Sequence, residues 1–108
     1  MDNTLEKLYQ VILNRKASPQ EGSYTCYLFS CGLDKILKKV GEECAETIIA
    51  AKNGMQGDTV GEISDLIYHL MVMMAETGIP LDDVFSELDR RAKKIGNLKQ
   101  MKQVDRES

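Results

Sequence analysis

The chain has 108 residues, of which 43% are hydrophobic and 29% are charged, and its formal net charge is −3 at pH 7. This length suits one domain with one hydrophobic core, and the composition is that of a globular protein rather than a disordered or fibrous one. The acidic balance excludes a general nucleic-acid surface, which needs clustered Lys and Arg. No apolar run is long enough to span a membrane, and the N-terminal residues lack the pattern of a signal peptide, so we expect a cytoplasmic protein.

The three cysteines, Cys26, Cys31 and Cys44, have none of the spacings that are typical of a structural zinc site. We therefore expect reduced thiols. Cys44 falls among apolar residues at helical spacing, and we expect it to pack in the interior as a small hydrophobic side chain.

Helical periodicity predicts four helices. Apolar residues recur every three or four positions over residues 4–15, 33–53, 58–77 and 81–95. Asp58 is a suitable N-cap for the third helix, Gly78 is a suitable stop for it, and Pro80 can open the fourth. These elements predict an all-α, four- to five-helix bundle in which the second and third helices form an antiparallel central pair.

Two segments lie outside this pattern. The stretch from Ser23 to Phe29 is too short and too isolated for a sheet, and we expect it to be an ordered loop. The polar residues 97–108 form a C-terminal tail, which leaves residues 1–96 as the single domain.

Acidic side chains recur at helical spacing on the two central helices. They are Glu42, Glu43 and Glu46 on the second helix, and Glu62 and Asp65 on the third. Residues three or four apart lie above one another, so antiparallel packing can aim these carboxylates at one point. Such a cluster repels itself without a cation, and its hard oxygens suit Mg²⁺ or Mn²⁺. A solvated acidic face is the alternative.

Apolar residues flank these acids, which predicts that both helices are buried on two sides. The main apolar sectors comprise Leu33, Leu37, Val40, Cys44 and Ala51 on the second helix, and Ile63, Ile67, Leu70 and Met74 on the third. The single histidine, His69, lies one turn after Asp65. It can be an interior hydrogen-bonded residue or can support a metal ligand from behind.

Basic residues accompany the acids. Arg15 and Lys16 end the first helix, and Lys35, Lys38 and Lys39 precede the acids on the second. The lysines can form i,i+4 ion pairs with glutamates, or they can hold the oxygens of a phosphate-bearing substrate. The spacing leaves both roles open.

Three segments resemble a known family. They are G-S-Y-T-x-Y-L-F at residues 22–29, G-L-D-K-I-L-K-K-V-G-E-E at residues 32–43 followed by Glu46, and E-I-x-D-L-I-Y-H-L at residues 62–70. E-E-x-x-E with E-x-x-D is typical of the wider MazG-like all-α nucleoside-triphosphate pyrophosphohydrolases. The S-Y-T and Y-H elements narrow the resemblance to phosphoribosyl-ATP pyrophosphohydrolase, over about residues 4–92.

The resemblance implies hydrolysis of 1-(5-phosphoribosyl)-ATP to 1-(5-phosphoribosyl)-AMP and pyrophosphate, the second step of L-histidine biosynthesis. It also implies a homodimer or larger homo-oligomer that completes the bundle. Many family members are fused behind a cyclohydrolase domain, and we expect the hydrolase to stand alone here. The alternatives are a pyrophosphohydrolase for another nucleoside triphosphate and a non-catalytic helical dimerisation module.

Carried over by position, the resemblance also assigns the metal ligands, and the chemistry of the reaction and the basic residues suggest the other roles. The metal ligands would come from Glu42, Glu43, Glu46, Glu62 and Asp65. Glu43 and Glu46 are the catalytic candidates, with Glu46 as the group that orients or deprotonates the attacking water. Substrate contacts are expected from Arg15, Lys16, Ser23, Tyr24, Thr25, Lys35, Lys38 and Lys39.

Overall fold

The computed structural model describes residues 3–95, which form five α-helices. The helices are α1 (Thr4–Ala17), α2 (Tyr24–Cys31), α3 (Leu33–Lys52), α4 (Gln56–Thr77) and α5 (Leu81–Ala92). No strand occurs between residues 3 and 95, and the predicted all-α class is confirmed. The tail predicted for residues 97–108 lies outside the described residues. None of the described helices is both long and apolar enough to cross a membrane.

The central pair of the bundle is α3 and α4, which pack against each other more extensively than any other two helices. Only three residues connect them, and Gly54 turns the chain at a φ of 71°. A connection this short makes the two helices antiparallel neighbours, as predicted.

The segment predicted to be an ordered loop is in fact most of α2, so that prediction was wrong. The Ser23 side chain caps the helix by accepting a hydrogen bond from the Cys26 N–H at 3.2 Å. Leu28 is completely buried and fastens α2 to the core. Eight residues are too few for a periodic pattern to stand out, but the Ser at the N-cap position was a usable signal.

Helix boundaries differ from the predictions by a few residues. α1 continues to Ala17, and α5 ends at Ala92. α4 begins at Gln56, so Asp58 is not its N-cap but lies in its first turn, where a negative charge still complements the helix dipole. Gly78 ends α4 in the left-handed conformation with a φ of 76°, as predicted.

The core is built by the first four helices. Its buried side chains are Tyr9, Ile12, Leu28, Ile36, Met71, Val72, Met74 and Ala75. The Tyr9 hydroxyl donates to the Ile79 carbonyl oxygen at 2.6 Å, so its polar end is satisfied. α5 buries no residue completely.

The main apolar sectors predicted for α3 and α4 are only partly in this core. The side chains left exposed include Leu33, Leu37, Cys44, Ile63 and Ile67. The interior expected for Cys44 is therefore not provided by residues 3–95. The buried stripe of α3 runs instead through Ile36, Glu43 and Ala50. Among the described helices, α1 and α2 provide most of the packing against this pair, and they leave the other side of α3 and α4 uncovered.

Candidate metal centre and nucleotide site

Carboxylates from α3 and α4 converge where the two helices pack. Glu43, Glu62 and Asp65 each offer an oxygen atom, and these atoms lie within 4.8 Å of one another. Glu46 lies beside them, close enough for its carboxyl group to raise the pKa of both Glu43 and Glu62. We call these four residues the carboxylate cluster.

The cluster is partly withdrawn from water. Glu43 is only 6% exposed, and Glu62 is half-buried. Within the described residues, one buried oxygen of each, Glu43 Oε1 and Glu62 Oε1, has no hydrogen-bond donor. Burial is the first cause of the raised pKa of both groups, and repulsion from neighbouring carboxylates adds to it. Buried acceptor oxygens without donors fit a divalent cation well.

Glu42 faces a different partner. Its Oε1 lies 3.3 Å from Lys39 Nζ, which also lies 3.8 Å from Glu43 Oε2. The hydrogen bond to Glu42 is the main cause that raises the pKa of Lys39, and the charges of Glu42 and Glu43 add to that effect. Of the five predicted metal ligands, the structure thus brings four together and pairs the fifth with a lysine at the edge of the cluster.

The remaining basic residues divide by location. Lys35 and Lys38 share α3 with the acids, and Lys35 Nζ lies 5.9 Å from the centre of the Tyr27 ring. Lys16 instead forms an ion pair of 3.0 Å with Glu76, about three turns beyond Asp65 on α4. Arg15 is half-buried, and its carbonyl oxygen accepts a hydrogen bond from the Cys26 thiol. The structure does not bring Lys16 to the cluster.

The S-Y-T residues have defined contacts. Ser23 caps α2, and the hydroxyls of Thr25 and Tyr68 are hydrogen-bonded to each other. Tyr24 Oη lies 3.0 Å from His69 Nε2, and His69 Nδ1 lies 2.7 Å from the Asp65 carbonyl oxygen. Two side chains at the start of α2 are therefore joined to α4 within one turn of the cluster.

The sequence assigned no role to Tyr68 or Tyr27, although both stand in motifs that carried the family resemblance. The ring of Tyr24 stacks between them, with centroid distances of 6.1 Å to Tyr27 and 6.2 Å to Tyr68. Tyr24 and Tyr27 are about half exposed. They line an open groove of about 670 Å³ along the start of α2, which offers aromatic surface close to lysines.

Comparison with known proteins decides the family. The sequence model described as "Phosphoribosyl-ATP pyrophosphohydrolase" matches residues 5–92. The chain belongs to this family. The phosphoribosyl-ATP pyrophosphohydrolase name denotes hydrolysis of a phosphoric anhydride, so the predicted enzyme class is confirmed, and with it the resemblance seen in the motifs.

Individual relatives agree with the phosphoribosyl-ATP pyrophosphohydrolase assignment. The chain is 54% identical over 101 residues to "Phosphoribosyl-ATP pyrophosphatase" of Clostridium novyi, covering 92% of each chain. It is 52% identical over 101 residues to the protein of the same name from Listeria welshimeri, covering 94% of this chain and 97% of the relative. It is also 59% identical over 90 residues to "Histidine biosynthesis bifunctional protein HisIE" of Caldanaerobacter subterraneus, covering 83% of this chain but 44% of that longer protein.

Proposed function

We propose that this chain hydrolyses 1-(5-phosphoribosyl)-ATP at its α–β phosphoanhydride, releasing pyrophosphate and 1-(5-phosphoribosyl)-AMP, with Mg²⁺ or Mn²⁺ at the carboxylate cluster. The observation that carries the proposal is the convergence of Glu43, Glu46, Glu62 and Asp65. Two of their buried oxygens, on Glu43 and Glu62, have no donor among residues 3–95. A merely solvated acidic face would not bury Glu43 to 6% exposure. The reaction belongs to histidine biosynthesis, the pathway in the name of the bifunctional relative.

The donor set fits the proposed cation. Oxygen ligands from carboxylates are what Mg²⁺ and Mn²⁺ prefer, and Mg²⁺ sites commonly combine a few carboxylates with substrate phosphates. A bound divalent cation neutralises phosphate charge and lowers the pKa of a coordinated water. Glu43, Glu62 and Asp65 are placed to hold it, because their oxygen atoms share one small volume.

Glu46 is the candidate for handling the proton of the attacking water. It lies beside Glu43 and Glu62 but is exposed, so its carboxylate can reach a water molecule at the mouth of the cluster. Glu43 is far more buried and suits cation binding better. His69 supports this region from behind through its hydrogen bond to the Asp65 carbonyl oxygen.

Lysines on α3 supply positive charge for the phosphates. Lys38 is exposed and Lys35 half-buried, and both precede the acids on the same helix. Lys39 is already paired with Glu42 and Glu43, so it holds the edge of the cluster in place. The S-Y-T residues and the groove that Ser23 and Tyr24 line beside α2 would bind the sugar or base end of the nucleotide.

We also infer a homo-oligomer, because α3 and α4 leave apolar side chains uncovered. The exposed fractions are 69% for Ile48, 58% for Val60 and 43% for Ile63. A second copy packing the same two helices would complete a four-helix bundle and bury these stripes. The carboxylate cluster lies between these helices and would then be close to the subunit interface.

The direct test measures pyrophosphate release from phosphoribosyl-ATP, with ATP and dUTP as comparison substrates, with Mg²⁺ and with EDTA. We expect Mg²⁺-dependent turnover that favours phosphoribosyl-ATP. Glu46→Gln keeps the shape of the side chain but removes the proton acceptor, and it should lower kcat by roughly 10²–10⁴-fold. Glu42→Gln is the matched variant on the same helix and should lower it much less, because Glu42 faces Lys39.

Two results would contradict the proposal. Wild-type protein that releases no pyrophosphate from phosphoribosyl-ATP with either Mg²⁺ or Mn²⁺ would exclude the activity. Faster turnover of dUTP or ATP would instead make the chain a pyrophosphohydrolase for another nucleoside triphosphate.

A further inference from the structure

A continuous hydrogen-bonded path joins α2 to the cluster through His69. Its Nδ1 lies 2.7 Å from the Asp65 carbonyl oxygen, and its Nε2 lies 3.0 Å from Tyr24 Oη. The ring is 5% exposed, so these two protein groups occupy both of its polar positions. A carbonyl oxygen only accepts hydrogen bonds, so Nδ1 must carry a hydrogen.

When the ring is neutral, this hydrogen also fixes the direction of the second bond. A neutral imidazole carries one N–H, and the bond made by one nitrogen sets the state of the other. With the hydrogen on Nδ1, Nε2 is an acceptor and the Tyr24 hydroxyl must donate to it. The remaining hydrogen-bonding capacity of Tyr24 Oη is then its lone pairs.

As a hydrogen-bond acceptor, Tyr24 Oη can bind only substrate groups that carry a hydrogen. Tyr24 is 46% exposed and lines the groove beside α2. Ionised phosphate oxygens carry no hydrogen and cannot bond to a hydroxyl whose own hydrogen is already donated. Sugar hydroxyls and the amino or imino groups of a base do carry hydrogens. Tyr24 is thus suited to the sugar or base end of a nucleotide, while the lysines of α3 suit the phosphates.

We propose that His69 is a positioning residue which, as the Nδ1–H tautomer, holds the Tyr24 hydroxyl as a hydrogen-bond acceptor for a sugar hydroxyl or base N–H of the substrate. This inference rests on the proposed function, because it specifies which part of phosphoribosyl-ATP meets α2. It makes Tyr24 a substrate-binding residue that does not contact phosphate. His69 does not touch the substrate itself but sets the hydrogen-bonding role of Tyr24.

The tautomer can be read directly, because His69 is the only histidine in the chain. In ¹⁵N-labelled full-length protein at pH 8, where an ordinary imidazole is neutral, long-range ¹H–¹⁵N correlations distinguish a protonated ring nitrogen from a bare one. We expect protonated Nδ1 and bare Nε2. The reverse pattern, or two protonated nitrogens, would overturn the inference whether or not the protein is active. The spectrum of Tyr24→Phe should show a displaced Nε2 resonance.

Kinetics test the positioning. Tyr24→Phe removes one hydrogen bond to a neutral group and should raise KM for phosphoribosyl-ATP roughly 3- to 10-fold, with kcat within about twofold. His69→Leu should raise KM similarly, and the double variant should be no worse than the poorer single one, because the two residues act as a unit. His69→Gln offers a carbonyl acceptor to Tyr24 and should recover part of the loss.

Tyr9→Phe is the matched control. It also removes a buried tyrosine hydroxyl, which donates to the carbonyl oxygen of Ile79 just after α4. This variant should leave KM unchanged. An unchanged KM in Tyr24→Phe, or additive effects in the double variant, would overturn the positioning role while leaving the proposed function intact. Complete absence of wild-type turnover would overturn both.

Discussion

Glu43 destabilises the metal-free fold in a way that a bound cation would relieve. It is 6% exposed, it has one buried oxygen without a donor within residues 3–95, and other carboxylates surround it. Its positively charged partner is Lys39, whose Nζ lies 3.8 Å from Glu43 Oε2. Burying a charge without full pairing is unfavourable. The cluster therefore destabilises the metal-free fold, and a bound cation should stabilise it.

We therefore expect Glu43→Gln to stabilise the metal-free protein and to abolish stabilisation by Mg²⁺. Relief of about 1 kcal/mol would raise Tm in EDTA by roughly 4–8 °C for a domain of this size. Wild-type protein should gain about 2.7 kcal/mol when Mg²⁺ is at 100 times its dissociation constant, and the variant should gain far less. Thermal unfolding at one fixed protein concentration, with EDTA and with Mg²⁺, measures both effects.

Glu42→Gln is the control for this experiment, because Glu42 is paired with Lys39 and its removal relieves no repulsion. Its Tm in EDTA should not rise. A Glu43→Gln protein that melts below wild type in EDTA would show that the carboxylate is satisfied in the absence of metal.

At the scale of elements, a single glycine decides how α2 meets α3. Gly32 is both the C-cap of α2 and the N-cap of α3, with φ 93° and ψ 179°. This backbone region is essentially restricted to glycine. No neighbouring atom lies within 4 Å of a Cβ built at this position, so any penalty for a side chain comes from the backbone alone. The sharp junction turns α2 back so that Tyr24 and Thr25 reach α4.

Gly32→Ala should lower the free energy of unfolding by about 1–3 kcal/mol, because alanine cannot adopt this conformation without strain. Gly41→Ala provides the opposite case. Gly41 lies inside α3 with open space around it, and alanine there should stabilise the fold by about 0.5–1 kcal/mol. Urea unfolding of the two variants beside wild type checks the sign of each change. Equal effects at both positions would contradict the strained geometry at Gly32.

At the scale of the whole molecule, the main open feature is the pair of apolar stripes on α3 and α4 that the other described residues leave exposed. They include large side chains such as Ile48, Val60 and Ile63, and they run along the two helices that carry the carboxylate cluster. Contiguous apolar surface of this kind marks an interaction site. The proposed second copy would bury it.

We expect sedimentation velocity to show a dimer or larger species, and Ile63→Asp to shift it toward monomer, because a charge in an apolar interface is left unpaired. Ile63→Leu keeps the apolar surface and should not change the assembly. A wild-type protein that is monomeric at micromolar concentration, or an Ile63→Asp protein with unchanged assembly, would contradict the inferred interface.

The helical class, the central pair of helices and the residue types of the site could all be predicted from the sequence. Periodicity of 3.6 residues, the stop at Gly78 and the spacing of Glu43, Glu46, Glu62 and Asp65 are local properties, so they can be recognised along the chain. The same spacing does not separate Glu42 from the other acids, because sequence cannot tell which neighbour a side chain contacts. Its pairing with Lys39 depends on side-chain geometry.

Features that depend on contacts between residues far apart in the chain could not be predicted in this way and became visible in the folded structure. α2 was missed because eight residues show no clear period and its stability comes from the Ser23 cap and the buried Leu28. The bonds from Tyr24 and Thr25 to α4 span more than forty residues, beyond any local pattern. The sequence also could not predict which apolar sector of α3 and α4 is buried. Amphipathicity identifies an apolar helix face but not the surface that packs against it.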